Sequence, residues 1–473
     1  MKDTKLYQIL NSFSEDEWKQ LRLYISSPFF NHRKQLIELL YWIHHVRFKL
    51  KKTYPNRTYL WKRLFGKKPF DEARFYRLCS ELNKLTADFI GYQKYQQQPW
   101  MPAYYRLQAF NERNLNKHFK TDYTKVTAKL SKQTEKDSDF YYHQYLFNLA
   151  EEQYLRKTTP NKRNLQMFIL PFDIQYFIVK LRYYCLLLNN RTVKNVEEEH
   201  SSIQLFINYL EAFDFNAYPL IRLYYRSLLM FINSLETSHF FTLKGLLKQL
   251  DTQINAIDRL ELYNFAQNYC AKRINQGDNE FLKELYKLYQ LLLQKKVLLH
   301  KGHLNHWYYK NITIVAIRLK EFSWAGQFIS EYKHAISENF RENAFNYNNG
   351  ALLFYRKRYK KAIAFLLKID DKHVYYTLDT KTCLLKTYYE LDETEALLLL
   401  THSFAVFVRN QKQLAETFRL GYLNLIQFTA RLTRIASWEK GKINTLKKQI
   451  ETAAYVMDKN WLLKKMRDRF PKT

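Results

Sequence analysis

Residues 346–400 read NYNNGALLFYRKRYKKAIAFLLKIDDKHVYYTLDTKTCLLKTYYELDETEALLLL, and their reading decides the fold. Apolar and aromatic residues recur here at helical spacing between short charged turns, so the stretch is helix, turn, helix, and then the same again. Ala362 and Ala396 stand at matching places 34 residues apart. The turn also recurs upstream, as LKEFSWA at 319–325, YRKRYKKA at 355–362 and YELDETEA at 389–396. Each copy puts a small Ala where the two helices of a hairpin approach. Such a hairpin cannot bury its own apolar face, so neighbouring copies must stack. The expectation is an all-α solenoid of helical hairpins.

The rest of the chain extends this pattern outward. No proline occurs between Pro219 and Pro471, which permits long uninterrupted helices. Upstream helices are expected at 103–131, 138–157, 172–190, 199–213, 218–236, 240–254, 258–275 and 278–299, with turns at Pro160, Pro219 and Gly277. QQQPWMP at 96–102 reads as a linker. Before it lies a separate helical module over 1–95. There Ser14 and Glu17 make a capping box for a helix carrying Trp18, Leu21 and Ile25, and Pro28 ends that helix. Asn31 is expected to cap the next helix, with Leu36, Leu39, Leu40 and Ile43 inward. A last helix follows Asp71 and ends near Gly91. The layout is then 1–95, degenerate hairpins over 103–300, clear repeats over 301–435, and a C-terminal helical cap over 436–473.

Hydrophobic residues make up 47% of the 473 residues and aromatics 17%, so the chain can bury a core despite a formal charge of +31. That charge predicts attraction to RNA, DNA, an anionic surface or an acidic protein, although an AT-rich coding sequence yields the same residue bias. Between Glu38 and Asp71 there is no acid, while Arg47, Lys49, Lys51, Lys52, Arg57, Lys62, Arg63, Lys67 and Lys68 alternate with Phe48, Tyr54, Tyr59, Trp61 and Phe65. Cations meet phosphates and aromatic faces stack on unpaired bases, which makes 47–68 the candidate nucleic-acid patch. The same pattern also describes a solvated basic face over core aromatics.

Residues that carry chemistry are sparse. Cys79, Cys185, Cys270 and Cys383 show no metal-like spacing and read as reduced core thiols of a cytoplasmic protein. No signal peptide is expected, and no apolar run is long enough for a transmembrane segment. His300, His303 and His306 would spread over a wide helical arc, and Lys301-Gly302 between them reads as a polar turn, so no metal is assigned. There is no phosphate-binding loop and no nucleophile motif. Tyr183-Tyr184 and Tyr224-Tyr225 read as core, and Asp370-Asp371 as a connector. No catalytic residue or cofactor is assigned, and the chain is read as non-enzymatic.

At 301–435 the residues resemble the tetratricopeptide (TPR) superfamily, whose repeat carries a small residue in its first helix, a Tyr near the turn and an Ala opening its second. Gly350, Tyr359 and Ala362 match in the middle copy; Thr313, Phe322 and Ala325 stand there in the first, and Leu384, Glu393 and Ala396 in the last. The chain is also similar to bacterial proteins with an N-terminal SPFFN-type helical module, here Ser27 to Asn31, ahead of TPR-like hairpins. The resemblance implies a right-handed solenoid that holds a protein partner, of unknown identity, on a concave face lined by first helices. It puts Lys310, Ile314, Ile317 and Arg318, then Tyr347, Ala351, Phe354 and Tyr355, then Lys381, Leu385, Tyr388 and Tyr389 on that face. Lys310, Arg318, Tyr347, Tyr355, Lys381 and Tyr389 are the candidate partner-binding residues. Of the Lys and Asn pattern that clamps acidic C-terminal tails, only Lys310 and Asn348 are present.

Overall fold

The computed structural model describes residues 4–50, 56–190, 197–370 and 373–471. Lys51, Lys52, Tyr54 and Asp371 lie outside the described residues. The chain divides into two units, Met1–Val179 and Lys180–Thr473. Its described residues are all-α apart from one pair of two-residue strands.

The first unit contains α1 (Lys5–Ser12), α2 (Glu15–Ser26), α3 (Lys34–His44), α4 (Arg57–Phe65), α5 (Glu72–Gln97), α6 (Met101–Glu112), α7 (Asn116–Ser131), α8 (Ser138–Thr158) and most of α9 (Gln166–Asn189). The expected capping box opens α2: Ser14 Oγ accepts from the Glu17 N–H at 3.3 Å, and the Ser14 N–H donates to Glu17 Oε2 at 2.8 Å. Trp18, Leu21 and Ile25 then join one core with Leu39, Leu60, Phe75 and Leu82.

Asn31 does not cap α3. Pro28 stops α2 and leaves the Ile25 carbonyl without a helical partner, and the buried Asn31 amide donates to it at 2.9 Å and to the Arg33 carbonyl at 3.1 Å. The basic connector holds a helix of its own, α4, capped by Asn56. The described residues of this module contain no strand. Helix α5 runs past the exposed Gly91 to Gln97. The single helix expected at 103–131 is two, broken at Asn114, whose φ of +56° asparagine tolerates better than most residues. At the start of α9 several large apolar side chains, Met167, Ile169 and Phe172 among them, are half-exposed.

The second unit continues through α10 (Glu197–Glu211), α11 (Pro219–Ile232), α12 (Ser238–Leu250), α13 (Ala256–Asn275) and α14 (Glu280–Gln294) to β1 (Leu299–His300) and β2 (His303–Leu304). It then runs through α15 (His306–Arg318), α16 (Phe322–Tyr332), α17 (Glu338–Tyr355), α18 (Tyr359–Leu366), α19 (Val374–Glu390) and α20 (Thr394–Asn410). Helices α21 (Glu416–Arg434), α22 (Lys440–Thr452) and α23 (Lys459–Arg469) close the chain. Consecutive helices pair as hairpins, and α15 lies beside α17, α17 beside α19 and α19 beside α21. Helices α22 and α23 close the end over Leu385, Leu425, Leu446 and Leu462.

The hairpins share one turn. Lys320, Lys357 and Asp392 have φ of +64°, +58° and +57°. Each donates its N–H to the carbonyl three residues back, and the following N–H reaches five back, as in Arg358 to Leu353 at 2.8 Å and Glu393 to Tyr388 at 3.0 Å. This is the Schellman closure, which satisfies carbonyls at a helix C-terminus. Gly277 closes α13 the same way, and Asn114 closes α6.

Aligned on the left-handed residue, the copies recur after 37 and then 35 residues. The 34-residue phasing is therefore one residue short in the last copy. The counterpart of Ala325 and Ala362 is Leu397, which is buried, and not Ala396. The counterpart of Thr313 and Gly350 is Leu385 and not Leu384. A nearby small residue misled the sequence alignment because the last hairpin fills both places with leucine.

The histidine run is a hairpin. His300 pairs with His303 across Lys301 and Gly302, both with positive φ, and His306 starts α15. No group of His, Cys, Asp or Glu among the described residues is placed to hold a metal. Tyr224 and Tyr225 are buried as expected, whereas Tyr183 is 64% exposed. No described helix is long and apolar enough to cross a membrane.

Candidate binding face of the repeat helices

Registering the hairpins on their turns brings α15, α17 and α19 into a common frame. Lys310 and Tyr347 then correspond to Thr382, and Ile314 and Ala351 to Lys386. Arg318 and Tyr355 correspond to Glu390, and Trp307 and Ala344 to Asp379. The contacts agree with this frame. Lys310 pairs with Asp379, tying α15 to α19 on either side of α17, and its ammonium lies 4.7 Å from the Trp307 ring. Burial raises the Asp379 carboxyl above its ordinary pKa, and Lys310 only partly offsets this. Lys386 pairs with Asp458, the left-handed residue that opens α23.

The six candidate residues separate by burial. Arg318 is exposed and Tyr355 is 44% exposed, with Arg318 and Lys386 both near enough to act on the phenol. Tyr347 is buried, its ring 5.9 Å from that of Tyr376, and burial raises its phenol well above the ordinary value. Lys310 is largely consumed by Asp379. Lys381 lies over Phe407 of α20 at 5.7 Å, so it faces the second helix of its own hairpin. Tyr389 packs on Trp461 of α23 at 5.4 Å, and next to it Glu390 pairs with Lys465 at 2.7 Å.

The C-terminal helix thus covers the α19 end of the face and leaves Arg318 and Tyr355 open. Asn348 is fully buried and donates to the Tyr309 carbonyl at 3.4 Å, so it forms no tail clamp with Lys310. Sequence reasoning missed Asp379, Lys386 and Asp458. Treating Asp392 as the turn residue would have found the first two.

In the basic patch, the described aromatic members pack against the helices of the module. Trp61 is buried and donates Nε1–H to the Lys68 carbonyl at 3.0 Å; Phe65 packs on Trp61 at 4.2 Å, and Phe48 packs on Trp18 at 5.9 Å. Arg57 reaches Tyr76 and Glu72, and Arg63 lies 4.5 Å from the Trp42 ring and bonds the Tyr59 hydroxyl at 3.3 Å. Arg47 donates to the Leu10 carbonyl at 2.9 Å. Lys62, Lys67 and Lys68 point to solvent.

All four cysteines are free thiols, and burial pushes Cys79 up to about 11 and Cys383 up to about 12, so none is a thiolate nucleophile near neutral pH. A buried polar cluster joins Tyr224 to Asp258 and to Glu261 at 3.0 Å, with Arg182 held on Glu261 by two bonds of 2.7 and 2.9 Å. This network ties α9 and α11 to α13. No protein family, curated protein or solved structure matches this chain.

Proposed function

We propose that the chain is a TPR-like, right-handed helical-repeat scaffold, without catalytic activity of its own, that holds a segment of a protein partner along the α15–α17–α19 face. The observation carrying this reading is the recurrence of one Schellman turn in three successive hairpins, which repeats the same first-helix positions side by side. On that face Arg318 and Tyr355 are open, a pair suited to an extended segment with an acidic and an apolar residue, while Lys386 is held by Asp458. The half-exposed apolar start of α9 also suits a protein that meets others.

A photo-crosslinking residue at Tyr355 should capture one protein reproducibly from the native cell, while the same residue at the exposed Leu399 of α20 should not. Arg318→Glu should abolish the capture without changing the helical circular dichroism. Equal capture at both positions, or none at Tyr355, overturns the reading. Tyr347→Ala is unsuitable, because that side chain is part of the core.

A second reading, contact with RNA or DNA through 47–68, is favoured by the solvent-facing Lys62, Lys67 and Lys68. With the described patch aromatics packed inside, such contact would be to phosphates and indifferent to sequence. Binding should weaken steeply with salt, and reversing the charge of these three lysines should cut the slope of log K on log salt by about 2–3. An unchanged slope removes this reading.

A further inference from the structure

The turn at 27–31, which joins α2 to α3, holds a large apolar side chain in water, and neither reading above uses it. Phe29 is 83% exposed, and Leu23, one turn before the end of α2, is 70% exposed. Taking a phenylalanine out of water is among the larger single gains in folding, and here the fold forgoes it. Yet the turn is firmly held. The Phe30 and Asn31 N–H groups both donate to the Ser27 carbonyl, at 3.1 and 3.0 Å, and the Phe29 N–H donates to Ser27 Oγ at 3.3 Å. The buried Asn31 amide donates to the Ile25 and Arg33 carbonyls, and its oxygen accepts from the Arg33 N–H at 2.9 Å.

Side chains support the same tip. Phe30 meets Phe29 edge-on at 5.0 Å and stacks on Tyr24 at 4.1 Å, while Tyr92 of α5 stands 5.7 Å from Phe30 and Phe89 stands 5.4 Å from Tyr24. Phe89 belongs to the core of the module, so Phe29 ends an aromatic ridge that starts inside the fold. Around it, residues 18–37 include Lys19, Arg22, His32, Arg33 and Lys34 and no acid. Asp16 and Glu81 take up Lys19 and Arg33, whereas Arg22 and Lys34 are exposed and make no ion pair among the described residues. Burial and the exposed Asp88 carboxylate raise the Tyr24 phenol, so one acid stands at the foot of the ridge.

A single projecting ring offers a folded partner little area, since specific protein interfaces bury about 800 Å² a side. A second copy would bring the same cations to the contact. A lipid bilayer needs no matching socket: an apolar tip enters the acyl boundary while cations beside it meet anionic headgroups, and each signal alone is weak. We propose that the 27–31 turn docks the chain on an anionic lipid surface, with Phe29 inserted and Arg22 and Lys34 on the headgroup phosphates.

Sedimentation of the full chain with phosphatidylcholine vesicles, with and without phosphatidylglycerol, tests this. The chain should bind the anionic vesicles and leave the neutral ones. Phe29→Ala should weaken that binding about fivefold with unchanged circular dichroism, because the side chain lies outside the core. Reversing both Arg22→Glu and Lys34→Glu should weaken it at least about tenfold. A polarity-sensitive dye on Phe29→Cys, in a chain carrying Cys79→Ser, should brighten on the anionic vesicles, while the same dye on Leu399→Cys of α20 should not. Vesicle binding with no dye response at position 29, or with Phe29→Ala bound like the parent, is adsorption by overall charge and overturns the proposal. Equal binding to neutral vesicles, or no binding to either, also overturns it, the last leaving a protein socket as the occupant of the ridge.

Discussion

Gly350 marks a close approach within a hairpin. A Cβ there would lie 2.6 Å from Leu366 Cδ2, and Leu366 is buried at 1% exposure with little room to move. Gly350→Ala should therefore destabilise by about 1–2 kcal/mol, overpacking outweighing the helix propensity gained. Gly326 is a control, since its Cβ would meet Leu352 Cδ2 at an ordinary 3.6 Å. Gly326→Ala should stabilise by about 0.5–1 kcal/mol. Urea denaturation of the two variants checks the pair, and equal signs would refute the close approach.

Asp379 gives a pH prediction at the same scale. Its carboxyl is raised by burial, so the native state binds the proton more tightly than the unfolded chain. Its contribution to stability is full below about pH 4, the ordinary carboxylate value, and is lost as the pH rises through the raised native value. Asp379→Asn lacks that loss. Relative to the parent, the variant should gain stability across this window. A gap that shrinks with rising pH would mean Lys310 outweighs burial.

At the scale of elements, the shared turn is the unit of repetition. Lys320, Lys357 and Asp392 adopt the left-handed conformation with a Cβ, which costs L-residues about 1–2 kcal/mol. Lys320→Gly, Lys357→Gly and Asp392→Gly should each raise stability by about 0.5–1 kcal/mol, because all three are exposed and lose no packing. Thermal melts test this, and a loss at any one would show that its side chain holds the turn. The helix periodicity, the capping box at Ser14 and the breaks at proline were legible in the sequence because each is a local effect. The register of the last hairpin was not, since three lysine or aspartate residues in left-handed turns leave no glycine to mark them.

For the molecule as a whole, the formal charge of +31 sets a background of self-repulsion that local ion pairs relieve only in places. Raising salt from about 50 to 300 mM should shorten the Debye length enough to raise Tm by a few degrees. A fall in Tm would show that pairs such as Lys310–Asp379 and Lys465–Glu390 outweigh the repulsion.

The candidate face shows how much of a site a sequence conveys. Arg318 and Tyr355 were readable as surface residues of first helices. Helical spacing alone could not tell that Tyr347 faces inward, that Lys381 turns to α20, or that α23 lies over Tyr389.

The sequence by itself determined the all-α class, the hairpin organisation of 301–435 and the capped start of α2, because propensity, periodicity and caps act within a few residues along the chain. Only the tertiary structure decided the 35-residue register, the Lys310–Asp379 and Lys386–Asp458 pairs, and the packing of the described patch aromatics against the core. Those depend on which residues from distant helices share a buried space, and burial there is a property of the packed fold that no local spacing encodes.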